Sequence, residues 1–141
     1  MRVRELMTAE PITVAPETSV VDARHLMATR RIRHLLVMDG ARLVGIVTDR
    51  DIRLNLPSPA TSLSVWELNY LLARLAVKEV MSRTVVTIGP DREAAAAARI
   101  MVEHKIGALP VLDGERLVGI VTETDFLRAF ATSEAVEPVA G

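Results

Sequence analysis

The sequence predicts an α/β (α+β) fold made of one β-α-β-β-α unit written twice, the two copies packed with pseudo-twofold symmetry. Three observations carry this prediction. The heptapeptide RLVGIVT occurs at Arg42–Thr48 and again at Arg116–Thr122, a shift of 74 positions given by the difference between 116 and 42. The same shift aligns residues on both sides without a gap. Val3, Glu5, Met7, Thr13 and Pro16 fall on Val77, Glu79, Met81, Thr87 and Pro90, and Ile32, Val37, Asp39, Gly40 and Asp51 fall on Ile106, Val111, Asp113, Gly114 and Asp125. Each copy also sets Asp-Gly between two aliphatic runs, a strong hairpin signal. A copy of about fifty to sixty residues is long for a solenoid repeat and short for an independent core. Two copies are therefore expected to bury their apolar faces against each other, with the groove between them as the place for a ligand.

Taken in order, Val3 to Met7 reads as a short helical lead, and Pro11 opens a brief extended piece, Ile12-Thr13-Val14, that Pro16 stops. Ser19 stands three residues before Asp22, the spacing of a capping box, and Val20, Ala23, Leu26 and Met27 trace the apolar stripe of a helix reaching about Thr29. Leu35 to Met38 and Leu43 to Val47 are the hairpin strands; a helix carrying Ile52 and Leu54 to Leu56 begins after Thr48 and stops at Pro57. The second copy repeats the order with an extended Val85 to Ile88 and a helix from Arg92 to His104. Strands Leu109 to Leu112 and Leu117 to Val121 follow, then a last helix from Thr122 to near Thr132. Between the copies, Pro57 to Thr61 is a turn-rich joint. Ser64 to Leu75 is an amphipathic helix with Ser64 and Glu67 at capping-box spacing and Trp66, Tyr70 and Leu71 at helical intervals. It is read as a linker helix packed on the domain, with partner binding as the other reading. The resulting division is a first repeat over 3–56, a linker over 57–76, a second repeat over 77–131 and a frayed tail over 132–141.

The composition narrows the function classes. Of the 141 residues 50% are hydrophobic and only 3% aromatic, enough for a sizeable aliphatic core. A net charge of −1 gives no bulk electrostatic reason to bind nucleic acid or an anionic membrane. The absence of cysteine removes disulfides, thiolate metal sites and a cysteine nucleophile together. No apolar run has the length of a membrane span, and the opening MRVRELMTAEP has no signal-like apolar segment, so a cytoplasmic location is expected. His25 and His104 fall in or at the ends of the long helices without a second histidine or carboxylate at metal-binding spacing, and no metal site is expected. No nucleophile motif or glycine-rich phosphate loop appears, so catalysis is not expected either.

The chemistry concentrates where each heptapeptide ends. Thr48-Asp49-Arg50-Asp51 and Thr122-Glu123-Thr124-Asp125 both set a threonine and an aspartate three apart where a strand passes into a helix. One reading is structural, a pair of capping boxes. The other is a ligand site, because the same geometry turns backbone N–H groups and a positive helix end toward a groove beside a hydroxyl and a carboxylate. Phosphate suits the former groups and ribose hydroxyls the carboxylate.

This doubled pattern of apolar strand, Asp-Gly turn, GIVT and T-x-x-D resembles a tandem pair of cystathionine-β-synthase (CBS) domains, a Bateman module, from about Val3 to Phe130. The linker PSPATSLSVWELNYLLARL further resembles the stand-alone CBS pairs of acetoin-utilisation type, without their extra C-terminal domain. The resemblance implies a non-catalytic regulatory sensor whose ligand is an adenosine nucleotide (AMP, ADP or ATP) or S-adenosylmethionine, bound as a signal and not as a cofactor. It implies that Asp51 and Asp125 hold ribose, that Thr48 and Thr122 lie near phosphate, and that adenine lies against Thr13 and Ala15 or Thr87 and Gly89. It further implies phosphate contacts from Arg33 and His34, whose counterparts Gly107 and Ala108 carry no charge, which predicts two unequal sites. The phosphate arm and the ribose aspartate are expected from opposite copies, Arg33 and His34 with Asp125, and Gly107 and Ala108 with Asp51. A homodimer is implied as well, a flat disc of four units with the helices carrying Met27 and Met101 as candidate contact faces. A sensor of this kind acts on a regulated partner protein, which no motif identifies. The other readings are a ligand-free structural dimerisation module and a nucleic-acid-binding regulator. Arg30, Arg31 and Arg33 form the densest basic cluster, but no recognition helix or stacking aromatic accompanies them, so nucleic-acid binding is not expected.

Overall fold

The computed structural model describes residues 1–57 and 62–133. The joint and the tail expected over 57–61 and 132–141 lie, except for Pro57, Thr132 and Ser133, outside these residues. In chain order the elements are α1 (Val3–Leu6), β1 (Thr8–Ala9), β2 (Thr13–Val14), α2 (Val20–Arg30), β3 (His34–Asp39), β4 (Arg42–Thr48), α3 (Asp49–Leu54) and α4 (Val65–Arg74). A 3-10 turn at Val77–Glu79 precedes α5 (Ala94–His104), β5 (Ala108–Asp113), β6 (Arg116–Thr122) and α6 (Glu123–Ser133). The fold is mixed α/β with two three-stranded sheets. The chain divides into two compact units, one of Ile12–Val85 and one of Met1–Pro11 together with the described residues from Val86 on.

In the first unit β2, β3 and β4 form one sheet, β2 parallel and β4 antiparallel to β3. The hairpin follows from Gly40, whose φ of +61° suits glycine, while Asp39 pairs with Arg42 as the closing rung. A register shift leaves Val44 without a Cα partner between the Val37–Gly45 and Met38–Leu43 pairs. Ser19 caps α2 by accepting a 3.0 Å bond from the Asp22 amide, and the α2 stripe of Val20, Ala23 and Met27 is buried. Leu35, Val37, Val47, Ile52 and Val77 complete the core; each fully buried aliphatic side chain contributes about 1.5–3 kcal/mol. The α3 helix ends at Leu54, short of the expected Leu56, and Leu54 is exposed. Linker helix α4 contacts α2, yet none of its residues is buried.

The second unit repeats the hairpin with Gly114 at φ +64°, Asp113 opposite Arg116, and Val118 as the unpaired residue. Its core holds Val3, Ala97, Met101, Leu109, Val111 and Val121. Three details depart from the sequence expectation. Helix α5 starts at Ala94 and not Arg92, with no side-chain cap from Glu93. The strand β1 has no periodic signal of its own; it exists because Thr8 and Ala9 pair antiparallel with Ile120 and Gly119 at the edge of β6. Val85 to Ile88, expected to be extended like Ile12 to Val14, contributes a single parallel bridge at Ile88, where the Ile88 amide donates to Pro110 and the Leu112 amide to Ile88. The next rung would need an N–H from residue 110, the counterpart of Leu36, and proline has none.

The leads are exchanged between units. Val3, which opens the first repeat in sequence, lies in the core of the second-repeat unit, and Val77, which opens the second repeat, lies in the core of the first. Bare glycines receive the sulfur of each lead. A Cβ on Gly119 would stand 2.6 Å from Met7 Sδ and 2.9 Å from the Thr8 carbonyl, and one on Gly45 would overlap Met81 Sδ and stand 3.0 Å from the Ser82 carbonyl. The conserved geometry of the two heptapeptides thus has a packing cause: glycine at the strand centre admits a methionine and a neighbouring backbone. Gly119→Ala and Gly45→Ala are each expected to lower stability by about 1–3 kcal/mol, because beside the sulfur each new Cβ meets a backbone oxygen that cannot rotate aside. Thermal denaturation, at roughly 2–4 °C per kcal/mol, checks this; unchanged melting in both variants contradicts it.

Candidate functional site

Each unit turns from strand to helix at one corner, and four of its candidate residues stand there. In the first unit Thr48 ends β4 and is the N-cap of α3. Its amide donates to Asp51 Oδ2 at 2.9 Å, and its Oγ1 accepts from the Asp51 amide at 3.0 Å, a complete reciprocal capping box. The structural reading of Thr-x-x-Asp is therefore realised, and it leaves the ligand reading open, because a carboxylate offers about four acceptor sites and the box occupies one. Arg33 and His34 stand at the same corner: His34 is opposite Thr48 in the ladder, and the Asp49 amide donates to the Arg33 carbonyl at 3.0 Å. Arg33 is exposed; His34, Thr48 and Asp51 are partly buried. On the neighbouring strand Thr13 pairs with Leu36, and Thr13 and Ala15 are exposed on either side of buried Val14. Arg33, His34, Thr48 and Asp51 thus share one end of the β3–β4 hairpin, whereas Thr13, level with Leu36, and Ala15, beyond the Val14–Val37 pair, lie further along the sheet toward its Asp39 end.

The second unit repeats the corner with altered bonding. The Thr122 amide donates to Asp125 Oδ2 at 2.8 Å, and the Thr122 hydroxyl lies 3.2 Å from that same oxygen, donating to it. Ala108 is opposite Thr122, and the Glu123 amide donates to the Gly107 carbonyl at 3.1 Å. Asp125 is 8% exposed, the only buried charged residue among those described, and its Oδ1 lies 3.8 Å from Arg128 Nη1. Arg128 belongs to no motif; its spacing of three from Asp125 along a helix is the signal that finds it. Thr87 and Gly89 flank the Ile88 bridge. A Cβ at Gly89 would meet nothing closer than 3.8 Å, so packing does not demand glycine there.

The corner chemistry is now explicit. The amides of Thr48, Asp49 and Asp51 all have protein acceptors, so the start of α3 offers a phosphate few backbone donors. Carboxylates in the first turn of each helix, Asp49 and Asp51 in α3 and Glu123 and Asp125 in α6, also favour the helix dipole and disfavour a bare anion. A ribose diol, which donates to a carboxylate, suits both corners. Among the described residues no cluster of histidine and acidic side chains has the arrangement of a metal site, and no helix is long and apolar enough to cross a membrane.

Two hairpin units, each passing from strand to helix at a Thr-x-x-Asp corner, define a tandem repeat of one small α/β domain. The chain belongs to the CBS-domain family: the family model matches residues 3–58 and 77–132, two domains in tandem. Among solved structures it is similar to an acetoin utilization protein (AcuB) from Vibrio cholerae, with 32% identity, a TM-score of 0.78 and coverage of 98% of both chains. It is also similar to the CBS domain pair of protein MJ0100, solved with 5-methylthioadenosine and S-adenosyl-L-methionine, at 28% identity and TM-score 0.78, covering 95% of this chain and 98% of that one. Among curated proteins it is 37% identical over 127 residues to an inosine-5'-monophosphate dehydrogenase of Korarchaeum cryptofilum, covering 88% of this chain and 23% of the enzyme. The chain thus spans about a quarter of that relative's length.

The unequal boxes generate a stability prediction. Thr48→Ala removes the acceptor of the Asp51 amide and is expected to cost about 1 kcal/mol, with Thr48→Ser close to the parent. Thr122→Ala leaves the amide bond to Asp125 in place and is expected to cost less. Urea denaturation of the three variants ranks them, and equal losses for Thr48→Ala and Thr122→Ala contradict the ranking.

Proposed function

We propose that the chain is a non-catalytic regulatory module that binds an adenosine-containing ligand, AMP, ADP, ATP or S-adenosylmethionine, and does so as a homodimer. The observation that carries this reading is the repeated corner, in which a carboxylate held by its own backbone at the strand end keeps acceptor capacity for a ribose diol. The structural neighbour solved with two adenosine derivatives supports the same ligand class. In this reading Asp51 and Asp125 take ribose, Thr48 and Thr122 line the sugar-phosphate side, and Thr13, Ala15, Thr87 and Gly89 line the adenine. Arg33 and His34 select phosphate, while Gly107 and Ala108 contribute room without charge. The dimer reading rests on helix faces that stay uncovered in the second unit, where Val102, Leu127 and Phe130 are all exposed.

Ligand binding to the native state alone stabilises by about 2.7 kcal/mol at a hundredfold excess over Kd, roughly 5–10 °C in a thermal melt. AMP, ADP, ATP, S-adenosylmethionine and cyclic dinucleotides form the screen; at least one is expected to shift the melt, and no shift with any favours the ligand-free dimerisation reading. Asp51→Ala and Asp125→Ala are expected to weaken the shift. Arg33→Ala is expected to weaken AMP binding about tenfold to a hundredfold, the worth of one charge-assisted bond, and adenosine binding little. Calorimetry on the Arg33→Ala variant with both ligands measures this, and an unchanged preference for AMP over adenosine removes Arg33 from the phosphate site. Light scattering at micromolar concentration is expected to give twice the monomer mass.

A further inference from the structure

The two repeats place one arginine a single position apart, and the shift changes which acid it neutralises. In α3 Arg53 follows Asp49 by four residues and pairs with it at 3.2 Å. Asp51 is left with Oδ2 in the capping box and, among the described residues, no partner for Oδ1. In α6 the position equivalent to Arg53 is Leu127, and the arginine comes one residue later. Arg128 follows Asp125 by three, and its Nη1 lies 3.8 Å from Asp125 Oδ1. Glu123, the equivalent of Asp49, has no ion-pair partner among the described residues. Spacings of three and four both bring side chains to one helix face, so the register of the arginine alone decides which acid is matched.

The consequence falls on the carboxylate. Asp125 Oδ2 already accepts from the Thr122 amide and hydroxyl, at 2.8 and 3.2 Å, and Oδ1 faces the guanidinium. A ribose diol, which donates O–H groups, therefore finds the remaining oxygen shared with a cation, whereas Oδ1 of Asp51 has no such competitor. The Arg128 side chain is 69% exposed over an acid that is 8% exposed, so the guanidinium stands on the solvent side of the carboxylate. At 3.8 Å the contact is electrostatic and not a hydrogen bond, and the guanidinium keeps its N–H donors for a second anion.

We propose that Arg128 sets the ligand selectivity of the second corner, disfavouring an uncharged riboside at Asp125 and favouring one that carries phosphate. The proposal rests on the ribose reading of Asp125. Arg128 competes with hydroxyl donors for Oδ1, and it supplies the corner with a cation where Gly107 and Ala108 supply none. A 5′-phosphate stands close to the diol of its own ribose, within the reach of a long and exposed side chain. The equivalent position in the first repeat is Leu54, 71% exposed at the end of α3, so no arginine of this register stands beside Asp51.

Calorimetry with adenosine and AMP tests this, on the parent chain and in an Asp51→Ala background where Asp125 is the corner left. In that background Arg128→Ala is expected to tighten adenosine binding about two- to fivefold, the range an exposed ion pair supports, and to lower the preference for AMP over adenosine at least as much. A merely structural role for Arg128 would weaken both ligands alike. Leu54→Arg, which replaces an exposed side chain, is expected to do the reverse at Asp51 in an Asp125→Ala background, weakening adenosine and raising the preference for AMP. Adenosine binding that Arg128→Ala leaves unchanged or weaker, or an unchanged AMP preference, overturns the proposal and leaves the ribose reading standing. Binding to the parent that vanishes in the Asp51→Ala background removes ribose from Asp125 and overturns the proposal with it. A parent chain that binds neither ligand overturns both the proposal and the ribose reading.

Discussion

The bond from a threonine amide to the carboxylate three residues on, Thr48 to Asp51 and Thr122 to Asp125, is the constraint on which the candidate site depends. It closes the turn from hairpin to helix, and it holds the carboxylate in one orientation without help from a ligand. A carboxylate positioned in this way has little side-chain freedom left to lose, so the ordering cost that would oppose binding of a polar group is already met by the fold. The capping bonds of the structural reading therefore do not compete with the ligand reading of Thr-x-x-Asp. The cap makes the corner and fixes the acid in it.

The same bonding limits what the corner can recognise. Helix starts are commonly anion sites because their first amides are unsatisfied, but here the amides of Thr48, Asp49 and Asp51 are spent on Asp51, Arg33 and Thr48. The side chains at the corner differ between repeats: Arg33 and His34 in one, Gly107 and Ala108 in the other. The two repeats keep the Thr-x-x-Asp pair and diverge in charge. Asp125 differs again from Asp51 in being buried beside Arg128, so even the shared residue works in two electrostatic settings.

Around these corners the units are held by exchanged leads. Val3 and Val77 each complete a core built mainly from the other repeat, and Met7 and Met81 each lie over the bare glycine of a hairpin strand. Glycine in a strand interior is normally unfavourable, by roughly 0.5–1 kcal/mol against alanine, and its presence in both heptapeptides is explained by the close approach it permits. Because each core includes a piece from the far side of the chain, neither repeat over its own contiguous sequence contains its full set of core residues.

What the sequence by itself determined was everything carried by local pattern. The repeat, the Asp-Gly hairpins, the Ser19 and Ser64 caps and the helix that follows each Thr-x-x-Asp are short-range consequences of residue type and spacing, and all are present. The family was legible for the same reason, since its signature is two such local patterns at one offset. Tertiary structure alone decided the rest. Strand β1 is two residues long and exists only through its pairing with β6, and the counterpart of β2 fails because Pro110 withholds an N–H from a strand that lies far away in sequence. Which repeat each lead completes, the Arg128 pairing at Asp125, and the face on which Trp66 stands uncovered are settled by packing. No periodicity within a single segment encodes what lies opposite it in space.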